Sequence, residues 1–237
     1  TMQTAQIGTA KLTYGGSQIS TLMADRLHAI MTEAIRLLGT LWHGPVLQLQ
    51  HIGTYAPKSR LPGGGPSEHA CNPPRAIDVA FVKWDDGTAC HSQDIQAKPA
   101  LHLQVEACLR LAGFGVVLGA AYNRDHLNHW HCDYSQAFGA NPSADSVQGF
   151  VRRCLAQLGH ASLPEYQKAA GLEADGAAGP LTLGALCKAI IGPAIPAQPM
   201  VVDWEGAGEL PWVKVGEQAY VPLRKLAEGL GLAVDVS

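Results

Sequence analysis

The sequence contains no run of like charge, and no apolar stretch in it approaches the roughly 18–20 residues of a membrane helix. With a formal net charge of −3 and no Lys/Arg cluster, it lacks the basic face that a phosphate backbone demands. A membrane span and a nucleic-acid partner are therefore not expected. Six cysteines, at 71, 90, 108, 132, 154 and 187, include no CxxC pair, which excludes the zinc-ribbon and dithiol-redox patterns and leaves the redox compartment open. The opening Thr1-Met2-Gln3 shows no charged-then-apolar leader, and a Thr ahead of a Met reads as a cloning scar. Export is expected to use another route or a leader already removed.

What is present is enough apolar side chain, 47% of 237 residues, to bury a real core, and enough length for one moderate domain with accessories. Apolar residues at three/four spacing between Ile19 and Thr40 predict a helix. Alternation predicts a strand at 46–52, and a Gly/Pro-rich loop follows it through Pro66. Ala76–Trp84 reads as an apolar strand turning at Asp85-Asp86-Gly87 into a hairpin with Thr88–His91. A helix is expected over Leu101–Leu111 and strands over Gly115–Leu118 and His129–Tyr134, which together make an α+β unit.

Ten histidines are many for an acidic chain, and three fall in His126-Leu127-Asn128-His129-Trp130-His131. On a strand, His129 and His131 face one way and Trp130 the other. Asp78 lies in the apolar run Ala76-Ile77-Asp78-Val79-Ala80-Phe81, where burying an unpaired carboxylate is costly and a metal ion would remove the cost. An HxH pair alone, or a strand Asp alone, reads equally well as structural. With His69, one histidine of that pair and Asp78 would make two imidazoles and a carboxylate with a fourth position open, the donor set of a catalytic zinc site.

Gly53-Thr54-Tyr55, Ser67-Glu68-His69-Ala70, Ala76-Ile77-Asp78-Val79-Ala80, Asp86-Gly87, Val117-Leu118-Gly119, Tyr122-Asn123 and His129-Trp130-His131-Cys132-Asp133 appear in an order that resembles the bacterial extensin-like C-terminal domain over roughly residues 5–138. That family is similar to the zinc peptidases grouped with lysostaphin, the D-Ala-D-Ala carboxypeptidases and the hedgehog fold. The resemblance implies a small antiparallel sheet with flanking helices and zinc on His69, Asp78 and His131. It also places departures. The residues between the His and the Asp, Ala70 through Ile77, are more numerous than is usual in relatives. Relatives carry an acid three residues before the last ligand, as general base, where this chain has Asn128; His129 is the candidate to take that role or to steady an oxyanion. An Arg that follows the Tyr of the loop in relatives is replaced by a stretch holding Lys58 and Arg60, candidates with Ser67 for gripping the substrate.

After a small, polar linker at 139–146, residues 147–191 resemble the three-helix peptidoglycan-binding module, with Asp175-Gly176-Ala177-Ala178-Gly179-Pro180 as a turn feeding a helix. Cys154 and Cys187 in this piece are either a pair or small core residues. A Pro-rich spacer spans 192–200. Residues 201–237 look like part of a stalk module named after copper amine oxidase N-termini, without copper ligands. The reading is a catalytic domain over 1–138 that hydrolyses peptide bonds of bacterial peptidoglycan with zinc. It would act as a monomer in the cell wall or outside the cell, as an autolysin or a phage lysin, with 147–191 tethering it to substrate. Its alternatives are a non-catalytic wall-binding protein with a degenerate site and a zinc amidase cutting the glycan–peptide bond.

Overall fold

The computed structural model describes residues 5–14, 23–41, 43–61, 63–192, 200–204, 208–215 and 218–220. Its strands are β1 (Ala5–Ile7), β2 (Ala10–Tyr14), β3 (Val46–Gly53), β4 (Ala76–Trp84), β5 (Ala89–His91), β6 (Val116–Leu118), β7 (Trp130–Asp133), β8 (Met200–Trp204), β9 (Gly208–Val215) and β10 (Gln218–Tyr220). Its helices are α1 (Asp25–Leu38), α2 (Pro99–Leu111), α3 (Asp145–Leu158), α4 (Leu163–Ala169) and α5 (Pro180–Ile191). Proline opens α2 and α5, where its missing N–H costs nothing. The Ser162 side chain caps α4 by accepting from the Glu165 backbone N–H. β8, β9 and β10 form a separate antiparallel three-stranded sheet. The end of the stalk-like piece, 221–237, lies outside the described residues, as does the spacer from 193 to 199.

The α+β class holds, but the sheet is larger than expected and mixed. Seven strands run in the order β1-β2-β3-β4-β7-β6, with β5 paired to β4 as well. β2 lies parallel to β3, reached through α1, while every other pair in the sheet is antiparallel. β1 and β2 are too short to show a period of their own, which is why no pattern in the sequence marked them.

One face of this sheet is covered by α1 and α2. Along β4, Ile77, Val79, Val82 and Trp84 are buried on that side, and along β7 Trp130 and Cys132 join them. The Trp84 indole N–H donates to the Leu38 carbonyl of α1 at 2.9 Å, so the largest core side chain also has its polar atom satisfied. Burying side chains of this size contributes about 1.5–3 kcal/mol each.

α3 and α5 do not stand apart from the sheet domain; both pack on α2. The seam is ionic at its centre. Arg110 of α2 is buried; it donates to Glu106 Oε1 and to the carbonyls of Val117 and Ser146, while Arg153 of α3 donates to Glu106 Oε2 at 2.6 Å. Gly139, inside the stretch of linker composition, has φ +71°, and a Cβ there would come within 2.7 Å of Pro180 Cα. That segment is pressed against the start of α5. The buried Cys154 and Cys187 are free thiols.

Burial alone would raise the Glu106 pKa, but Arg153 and Arg110 more than offset it and hold the carboxyl below its ordinary range. The folded pKa therefore lies under the unfolded value of about 4.3, so the stabilisation is complete above that pH and lost as the pH falls through the folded value. Glu106→Gln, which strands two guanidinium groups, is expected to cost about 3–5 kcal/mol at pH 7 and to flatten the acid limb of stability between pH 5 and 3. Urea titrations of both proteins across that range check it. A chain ended at Ala144 uncovers the face of α2 that packs on α3 and α5, and is expected to lose its cooperative thermal transition, which calorimetry reads directly.

Candidate metal centre

The register of β4 against β7 sets Asp78 directly opposite His131. Because side chains alternate, the residues that bury Ile77, Val79, Trp130 and Cys132 on the helix side turn Asp78, His131 and Asp133 to the other face. Asp78 Oδ1 and His131 Nδ1 are 3.0 Å apart. The third group comes from a short 3-10 turn, Glu68–Ala70, at the end of the Gly/Pro-rich loop. His69 is clamped there twice: its carbonyl accepts from the Ala56 backbone N–H, and its Nδ1 lies 3.0 Å from the Thr54 carbonyl. Its Nε2 then sits 3.1 Å from both Asp78 Oδ1 and His131 Nδ1.

The additional residues between His69 and Asp78 stay outside this geometry. Arg75 pairs with Glu68, Nε to Oε2 at 2.7 Å, and its backbone N–H donates to the Glu68 carbonyl. The loop is thereby closed at its base, and β4 begins immediately after it, at Ala76. A longer loop costs little when its ends are pinned in this way.

The outer nitrogens decide what the inner ones can do. Thr54 offers His69 only a carbonyl, so Nδ1 carries the hydrogen; Asp133 Oδ2 lies 3.1 Å from His131 Nε2, so that nitrogen is the donor. In neutral imidazoles both inward nitrogens are then lone pairs, and they meet a carboxylate oxygen in a triangle with edges of 3.0–3.1 Å. Three electron-rich atoms at that spacing call for a positive charge between them. A tetrahedral ion with bonds of about 2.0–2.2 Å needs ligand atoms about 3.3–3.6 Å apart, a few tenths wider. His69, Asp78 and His131 thus form a His/Asp triad able to hold a metal ion. The side chains keep 10%, 18% and 15% of their surface open, enough access for a further ligand.

The local charge balance expresses the same demand. Burial works to lower the His131 pKa, but Asp133 and Asp78, at its two nitrogens, carry it up to about 9. For Asp78, burial works upward and the bonds from His131 and His69 hold the carboxyl well below its usual range. Without a cation, a proton stands in for one.

His129 stands at the start of β7, with Nε2 3.7 Å from Asp78 Oδ1, outside hydrogen-bond range. Its Nδ1 lies 2.8 Å from Asn128 Oδ1. Burial, with His131 and His69 nearby, lowers its pKa against the pull of Asp78. The ring of His126 lies 5.2 Å from that of His129 and 6.0 Å from that of His131.

Of the residues singled out from sequence, the fold brings His69, Asp78, His131 and His129 together, with Asn128 against His129. Ser67 is buried two residues before His69, and its Oγ has no hydrogen-bond partner. Lys58 and Arg60 are exposed and make no hydrogen bond or ion pair among the described residues. Sequence reasoning missed Asp133, the Thr54 carbonyl, His126 and His51. Asp133 was legible as the next same-face residue after His131. His51, buried on β3 and pushed down to about 4 by burial against the attraction of Asp78, looks like any strand residue. A backbone carbonyl leaves no trace in a sequence.

A mixed sheet with helices on one face and a His/Asp triad on the other defines an α+β domain equipped to bind a metal ion. Residues 3–142, more than half of the chain, match the family model described as extensin-like protein C-terminus, and the chain belongs to that family. No curated protein and no solved structure matches it.

Elemental analysis of the purified chain should find close to one divalent ion per molecule, and none in His131→Ala. Asp133→Asn keeps the three ligands but loses the carboxylate behind His131; its metal affinity should fall about 10–100-fold in a competition titration with a chromophoric chelator.

Proposed function

We propose that this protein is a zinc-dependent peptidase acting on the peptide portion of bacterial peptidoglycan. The single observation that carries the reading is the convergence of His69 Nε2, Asp78 Oδ1 and His131 Nδ1 in one partly open triangle. Two imidazoles and a carboxylate suit zinc better than the all-oxygen preference of magnesium or calcium. When bound, zinc supplies Lewis acidity, polarising a scissile carbonyl and drawing the pKa of a water toward about 7.

The remaining roles belong to the chain itself. Thr54 and Asp133 lock the two imidazoles in the tautomers that present lone pairs inward. Asn128 accepts from His129 Nδ1–H, which leaves Nε2 as the free basic atom beside the triad. His129 then takes the proton of the attacking water and returns it to the departing amine. Asn128 is an orienting residue in this scheme, so its lack of acidity does not disable the site. The substrate class rests on the resemblance of residues 147–191 to wall-binding helices; Gln167 organises their Asp175–Thr182 turn, its side-chain amide donating to Asp175 and Thr182 and accepting from Gly176. A wall substrate places the protein outside the cell or in the wall.

Turnover of defined muropeptides by the zinc-loaded chain, read by product mass spectrometry, tests the reading. New amino-acid termini with the lactyl-peptide intact are expected; a freed lactyl carboxyl would instead make it an amidase. His129→Ala should retain zinc and lose about 10²–10⁴ in turnover. Asn128→Asp, which preserves the acceptor, should retain or raise turnover, and Asn128→Ala should lower it by about tenfold. Equal rates for all three variants and the wild type would remove His129 from the mechanism.

A further inference from the structure

Asp145, Gly149, Arg152 and Arg153 stand at helical spacing along one side of α3, and they line a cavity of about 340 Å³. The opposite wall includes Tyr122 and Asn123. Arg153 is committed to Glu106. Asp145 and Arg152 are exposed and make no ion pair or hydrogen bond among the described residues; their backbones are about 10.5 Å apart along the axis, and Arg152 Nη2 reaches back to Gly149, one turn from Asp145. An acid and a base thus stand about one helical turn apart on the cavity wall.

Gly149 lies between them. Glycine inside a helix weakens it relative to alanine. Nothing crowds this position: an added Cβ would meet only Arg152 Nη2, at 3.9 Å, an ordinary contact. Neither a close approach nor a left-handed backbone calls for glycine here, and what its missing side chain leaves is open surface beside the Arg152 guanidinium, which folds back over this position.

The same wall reaches the metal centre. The ring of Tyr122 lies 5.8 Å from that of His126, and Asn123 Oδ1 accepts from His126 Nδ1 at 2.6 Å. His126 in turn borders His129 and His131. One loop thus separates the cavity from the triad.

We propose that this cavity binds a zwitterion, an amino acid or short peptide with a free ammonium and a free carboxylate, with its ammonium at Asp145, its carboxylate at Arg152 and its body across the open surface beside Gly149. The volume suits a ligand of that size. Binding itself is independent of the peptidase reading; only the assignment of the ligand as the free end of a wall peptide rests on it.

Calorimetric titration of the full-length chain with alanyl-alanine, with a chelator present throughout, separates this site from the metal centre. Saturable binding is expected, weakened about tenfold or more when the probe is N-acetylated or C-amidated. Arg152→Gln should abolish the preference for free acid over amide, and Asp145→Asn the preference for free amine over acetyl. Gly149→Leu should bind at least tenfold more weakly yet melt at a higher temperature, a divergence that a merely structural role does not produce. Absence of binding by the wild type, or undiminished binding by Gly149→Leu, would overturn the proposal whether or not the protein hydrolyses muropeptides.

Discussion

Asp78 and His131 meet as a cross-strand pair between β4 and β7, and this register depends on residues that take no part in metal binding. Ile77 opposite Cys132 and Val79 opposite Trp130 are fully buried under the helices. A slip of one residue would carry that apolar set to the open face and the donors into the core. The hydrophobic free energy of the core therefore aligns the polar site, and the site needs no strong attraction of its own to form.

The converse problem is electrostatic. A carboxylate and two inward-facing imidazole nitrogens sit together on a half-open face, and among the described residues no Lys or Arg joins them. The chain supplies instead two outer acceptors, Thr54 and Asp133, that point both imidazoles inward, so that a proton or a metal ion can balance the carboxylate.

The parts legible in the sequence were those with a period or a chemical signature. β4 was bounded correctly because nine apolar-biased residues end in a turn dipeptide, and α2 was legible by its apolar face at helical spacing, though it begins two residues earlier, at Pro99. The triad was legible because an Asp in an apolar strand and an HxH pair each need an explanation. β1 and β2 were not, since three and five residues hold too little alternation. Linker composition at 139–146 gave no sign that Gly139 packs on Pro180 or that the Ser146 carbonyl is bound by Arg110, because both depend on partners distant in the chain.

Arg110 deserves its place in that seam for a mechanical reason. Its guanidinium holds at once the carbonyl of Val117, on the strand beside β7, and the carbonyl of Ser146, at the start of α3. Tension applied to the helical end of the protein has no slack segment to extend before it reaches the sheet. It passes through a buried cation into the neighbour of the strand that carries His131, so a pull on the helices is felt in the framework of the His/Asp triad.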